Sequence, residues 1–212
     1  LPLHAIPTTA GTGSEVTIVS VVSDRQARVK RTIIDPKLVP GMVALDPRLM
    51  VGLPRHITAP TGMDALTHAV EAYLSSLADR ETDMLARAAT ATIVSQLPKA
   101  YADGKDLEAR GRMAIASSMA GLAFTRAGVG YVHAFAHQLG ALYHVPHGLA
   151  NAMVMPHVLD FSRSHCAGRL ADLARVSGLG REGATDERLA EDFIAHVRAM
   201  NASMAIPEKV RE

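Results

Sequence analysis

The sequence predicts a chain of the α/β plus all-α class, with a β-leaning part over residues 1–52 and an all-helical part over residues 53–212. Three observations predict it. Before Leu53 the chain carries β-branched runs such as TIVSVV, which suit the pleated, half-buried surface of a strand. After Leu53 the apolar residues recur at helical spacing almost to the end. The composition is 48% hydrophobic and 20% charged, with four Phe, four Tyr and no Trp, and its bias to small side chains favours closely packed helices.

In the β-leaning part, Leu3 to Ile6 is the first strand candidate, followed by a glycine and hydroxyl turn, TTAGTGSE, over Thr8 to Glu15. Val16 to Val22 reads as a second strand, Asp24-Arg25-Gln26 as a hairpin turn and Val29 to Ile34 as the returning strand. Met42 to Leu45 is a last short strand, closed by Asp46-Pro47. The spacing then predicts helices over 62–76, 80–97, 106–126, 129–142, 148–163, 167–177 and 186–203, with Pro60-Thr61-Gly62 as the entry turn of the first. Asp79, Asp106 and Asp186 stand where N-caps are expected. Pro156 should kink or split its helix, and Gly178 and Gly180 should end the helix before them. No internal repeat or low-complexity linker separates the two parts. The boundary near residue 52 is a change of composition.

Composition also removes whole classes of function. A net charge of +1 without a long basic run gives no electrostatic footprint for nucleic acid. No apolar run reaches the ~20 residues of a membrane span, and no secretory signal is visible. Cys166 is the single cysteine, which excludes an internal disulfide and fits a reducing, cytoplasmic compartment. The chain opens on Leu1 and closes on a helix-like Ile206 to Glu212, as an interior piece of a longer protein would.

The chemistry concentrates in GVGYVHAFAHQLGALYHVPHGLANAMVMP, Gly128 to Pro156, which holds His133, His137, His144 and His147. His133 and His137 are one helical turn apart and share a face. Val145-Pro146 should break that helix, because proline disfavours helical backbone in the residue before it. His147 then begins a new helix facing the pair. Upstream, TAPTGMDALTHAVEAY puts Asp64 and His68 four apart, with Glu71 three residues further on the same face. A buried aspartate needs a hydrogen bond, an ion partner or a cation. Asp64, His68, His133 and His147 together make three imidazoles and one carboxylate, a set that suits Fe(II) or Zn(II) better than Mg(II). Singly, each histidine is as readily a core residue bonded to a backbone carbonyl. TTAGTGSE is neither a G-x-G-x-x-G fingerprint nor a P-loop, although its threonines and amides, with Lys30 nearby, can hold a ribose or phosphate.

Four stretches, IPTTAGTGSEVT (Ile6 to Thr17), LDPRL (Leu45 to Leu49), TGMDALTHAVEAY (Thr61 to Tyr73) and GVGYVHAFAHQLGALYHVPHGLAN (Gly128 to Asn151), resemble the iron-containing, or group III, alcohol dehydrogenases. The resemblance covers essentially the whole chain. It implies the C-terminal part of an α/β nucleotide-binding domain (1–52) followed by an all-helical metal-binding catalytic domain (53–212), a dehydroquinate synthase-like architecture. It implies metal ligands at Asp64, His68, His133 and His147, and a catalytic, nicotinamide-facing histidine at His137. Thr8, Thr9 and Lys30 match cofactor-contacting positions; His144 matches a variable one and stays outside the site.

The implied activity is hydride transfer between a small alcohol and NAD or NADP, giving an aldehyde or ketone. Fe(II) would serve, with Zn(II) or another divalent ion possible, in a homo-oligomer. The glycine-rich phosphate loop of that family is expected upstream of Leu1. A nucleotide-binding domain takes on the order of 100 residues, so these residues alone are expected to lack dehydrogenase activity. Competing readings are a metal-free maleylacetate reductase-type enzyme, a dehydroquinate synthase relative and a non-catalytic helical metal-binding module.

Overall fold

A computed structural model describes residues 3–24, 26–27 and 29–209. Leu1 and Pro2 of the opening stretch, Arg25 of the expected hairpin turn and Val210 to Glu212 lie outside the described residues. Strands β1 (His4–Ala5), β2 (Val19–Asp24), β3 (Val29–Ile34) and β4 (Met42–Val43) precede helices α1 (Arg55–Leu74), α2 (Arg80–Ala102), α3 (Leu107–Ala127), α4 (Tyr131–Tyr143), α5 (His147–Val176) and α6 (Asp186–Ser203). β1 pairs with β4 in parallel, His4 opposite Met42. β2 and β3 form the expected antiparallel hairpin, with Val19 opposite Ile34 and Ser23 opposite Lys30. The second strand starts later than its β-branched residues suggest. Ser14–Val16 is a 3₁₀ turn, held by Val16 N–H donating to the Gly13 carbonyl and by Glu15, whose buried carboxylate accepts from Ser118 on α3.

The helical part is organised around α1, which packs against α2, α3 and α5 and is buried nearly continuously from Thr58 to Tyr73. A helix apolar and small on every side must be covered on every side. Met63, Leu66 and Val70 therefore meet Ile93 and Leu97 of α2 in one core that also takes in Phe193 and Ile194 of α6. Arg110 of α3 ties down the start of α1. Its guanidinium donates to Thr58 Oγ1 (3.0 Å) and to the carbonyls of Gly104 (3.1 Å) and Leu53 (3.2 Å).

Pro60-Thr61-Gly62 is not an entry turn: α1 starts five residues earlier, at Arg55 behind Pro54. Proline in a helix costs about 3 kcal/mol. Pro60 stands in the second turn, where burial of the run that follows outweighs one lost bond.

Pro156, buried inside α5, does not break it either; the non-helical backbone falls at Cys166 (φ −134°, ψ 19°), between the two helices expected there. The reason is distant in sequence. Proline at 156 leaves the Ala152 carbonyl without its helical donor, and Nδ2 of Asn201 on α6 supplies one at 2.6 Å. Asp79 and Asp106 cap α2 and α3 as expected, Asp79 accepting the amides of Glu81 and Thr82 and Asp106 that of Ala109. Asp186 is not a cap. Thr185 accepts the amide of Arg188 and Asp186 is the first helical residue, its charge at the positive end of the helix dipole. Gly178, left-handed at φ 76°, follows the end of α5. The described part of the C-terminal stretch, Ile206 to Lys209, is not helical.

Candidate metal centre

α1, α4 and α5 converge at one point. On α1, Asp64 and His68 are one turn apart, and both polar side chains are buried. α4 ends at Tyr143 with His144 in left-handed backbone (φ 57°), and the chain reverses through Val145-Pro146. Proline then occupies the cap position, so His147 opens α5 and faces back toward α1. The approach is close. A side chain on Gly148 would meet the Pro60 carbonyl oxygen at 2.4 Å, so only glycine lets α5 come near enough for His147 to reach Asp64.

Oδ1 of Asp64 is faced by Nε2 of His147 at 3.4 Å, of His133 at 3.8 Å and of His68 at 3.9 Å. One donor atom from each of the four residues lies within 4.8 Å of every other. His68 and His133 stack at 4.7 Å, and Phe124 covers the other face of His68 at 4.3 Å.

Burial holds His68 well below the ordinary histidine range, helped by the neighbouring His133, and holds His147 down to about 4. Neutral imidazoles are what coordination requires. The tautomers follow from what lies behind the rings. His68 Nδ1 is 3.2 Å from the Gly11 carbonyl, which can only accept, so Nδ1 donates and Nε2 carries the lone pair. His133 Nδ1 is 2.6 Å from Glu71 Oε2. Burial raises Glu71, but hydrogen bonds from His133 and from the Gly130 and Val132 amides outweigh it and hold the carboxyl below its usual range.

Asn151, one turn into α5 and fully buried, was not singled out from the sequence, and its signal there is only a four-residue spacing from His147. Its Nδ2 touches three of the four donors: Asp64 Oδ1 at 2.6 Å, His133 Nε2 at 3.1 Å and His147 Nε2 at 3.2 Å. An amide has two N–H groups for those three acceptors. The cluster therefore turns one carboxyl oxygen and three ring nitrogens inward against only two amide protons, and its chemistry fits a small divalent cation.

A cavity of about 680 Å³ opens over this point, within the range of small-molecule sites. Asp64, His68, His133 and His147 line it on one side, Ile18, Val21 and Ile34 of the hairpin segment on the other, and Phe124 and Val129 between them. His137 and Lys30 also line it. His137 stands 5.2 Å from His147, ring to ring, and burial together with His133 and Lys30 lowers its pKa. Burial lowers Lys30 as well, and the facing Asp64 opposes that. Thr8, exposed, and Thr9, half-buried, lie on the bend that leads into Gly11 and not in the cavity wall, where Thr12, Ser14 and Thr17 stand instead. His144 is exposed at the far end of α4.

Two family models match the chain. Residues 58–212 match the family model described as Fe-containing alcohol dehydrogenase family, C-terminal, and residues 1–47 match that described as iron-containing alcohol dehydrogenase. A probable alcohol dehydrogenase EutG of Escherichia coli (strain K12) is 48% identical over 210 residues, covering 99% of this chain and 52% of its own length. An NAD-dependent methanol dehydrogenase of Bacillus methanolicus is 42% identical over 212 residues, covering 100% of this chain and 56% of its own length. The crystal structure of a 1,3-propanediol oxidoreductase superposes with a TM-score of 0.94 at 45% identity, covering 97% of this chain and 54% of that one. The chain thus spans about half the length of the relatives it matches.

Proposed function

The chain belongs to the iron-containing alcohol dehydrogenase family, and on that premise we propose that it carries the metal centre and one wall of the cofactor cleft of an oxidoreductase that moves hydride between a small alcohol and NAD(P). Residues 1–52 are the end of the nucleotide-binding part and 53–212 the helical metal-binding part. Asp64, His68, His133 and His147 hold the ion, Fe(II) first and Zn(II) second, since three imidazole nitrogens and a carboxylate oxygen suit either. The observation that carries this reading is the convergence of three Nε2 atoms on one aspartate oxygen at 3.4 to 3.9 Å.

A divalent cation there supplies Lewis acidity, which lowers the pKa of an alcohol hydroxyl and, in reverse, polarises a carbonyl. The other tasks fall to this chain's residues. His137 is neutral near pH 7 because burial lowers its pKa, so it accepts the hydroxyl proton and returns it in the reverse direction. Lys30, with Thr8 and Thr9 at the entrance to the glycine turn, contacts NAD or NADP, and the nicotinamide supplies the redox step. Phe124, Val129, Val19 and Val21 keep water from the transfer path and accept a short carbon chain. The relatives' names, methanol dehydrogenase and 1,3-propanediol oxidoreductase, fit substrates of that size.

Among the described residues no helix is long and apolar enough to cross a membrane. Cytoplasmic residence and a homo-oligomer complete the proposal. Metal analysis and nicotinamide binding test it. Asp64→Ala and His147→Ala should each lose the bound metal while keeping helical content. Turnover that survives in metal-depleted full-length variants would remove these residues from the mechanism. In the full-length protein that carries this chain, metal bound without any nicotinamide affinity would favour an inert metal module.

A further inference from the structure

Glu71 is 6% exposed and stands behind the proposed ligand set. Its Oε2 is 2.6 Å from His133 Nδ1, and its Oε1 accepts the Val132 amide at 2.6 Å. Val132 is the second residue of α4, so that amide has no helical partner of its own. Gly130, the residue before α4, lies against this carboxylate, and a Cβ there would lie 2.8 Å from Oε1. The approach of the carboxylate to the helix end therefore requires glycine at 130.

We propose that Glu71 is a positioning residue for the metal centre: it fixes the His133 ring with its proton on Nδ1 and Nε2 turned inward, and by capping α4 it sets where that helix delivers the ring. The inference rests on the metal-site reading above and names a role outside the four ligands. A carboxylate behind a ligating imidazole fixes its tautomer and raises the basicity of the inward nitrogen. The three rings are held unequally. His68 is backed by a neutral carbonyl, and His147 Nδ1 is buried without a partner among the described residues. Only His133 among them is backed by a buried carboxylate, and that same carboxylate anchors the helix carrying His137.

Glu71→Gln is the discriminating change. Glutamine keeps the volume, but one oxygen becomes an N–H donor facing either the imidazole N–H or the Val132 amide. The expected result is a 10- to 100-fold loss of Co(II) and Zn(II) affinity, measured by competition with a chromophoric chelator. The far-ultraviolet circular dichroism should stay that of the unsubstituted chain, and the Co(II) visible spectrum should change. In the unsubstituted, metal-depleted chain, two-bond nitrogen–proton correlation should place the His133 proton on Nδ1. Unchanged affinity and spectrum in Glu71→Gln, or a His133 proton on Nε2 in the unsubstituted chain, overturns the inference. The tautomer measurement decides even if the variant does not fold. A chain that takes up no Co(II) would instead strike the metal-site reading itself.

Discussion

Nδ2 of Asn151 lies 2.6 Å from Oδ1 of Asp64, so α5 delivers to one point both an imidazole and the amide that steadies the carboxylate opposite. Removing a donor from a buried charged acceptor costs about 1–3 kcal/mol. Asn151→Ala should lower the urea unfolding free energy of the chelator-treated chain by that amount. The loss should shrink when saturating metal is present, because the cation then neutralises the same oxygen. Equal losses with and without metal would mean that Asn151 serves only the packing of α5.

Gly148 sits against the Pro60 carbonyl with no room for a methyl group. Gly148→Ala should push α5 away from α1, at about 1–3 kcal/mol for the overpacking, and carry His147 with it. Thermal unfolding and metal affinity should fall together. A variant with a lowered melting temperature and undiminished affinity would show that His147 reaches Asp64 from more than one helix position.

Tyr73 gives a pH prediction clear of the metal. Its hydroxyl is 2.5 Å from Asp172 Oδ2, and burial, then that hydrogen bond, push its pKa up to about 12 from the ordinary 10. The neutral phenol is the form the fold holds. Its contribution to stability is therefore complete below pH 10 and is lost as pH rises from 10 through 12. Absorbance at tyrosinate wavelengths should show one of the four tyrosines ionising late, and Tyr73→Phe should remove that phase.

His137 lines the cavity without belonging to the four converging donors. In the full-length protein that carries this chain, His137→Asn should leave metal stoichiometry unchanged. It should slow alcohol oxidation by ~10²- to 10⁴-fold, the usual worth of a placed general base. Loss of the ion from that variant would exchange its role with that of a neighbouring histidine.

Much of this was legible before any coordinates, because local rules decided it. The hairpin, the caps at Asp79 and Asp106 and the turn that frees His147 each depend on neighbours a few residues away. The misread places share a different cause. By local rules Pro156 should kink or split its helix, yet the helix runs on through it, and Asn201, forty-five residues on, supplies the hydrogen bond that the Ala152 carbonyl lost. Pro60 was read as a turn because its cost is local whereas the burial of α1 that overrides it is tertiary. Asn151 escaped notice because one asparagine among apolar residues has no periodic signature. Its meaning lies in Asp64, eighty-seven positions earlier.

Among the described residues every converging donor comes from α1, α4 or α5, and none from the strands or the glycine turn. Substitutions along β2 and β3 therefore leave the four donor atoms themselves untouched, whereas one in the glycine turn reaches them through the Gly11 carbonyl that orients His68.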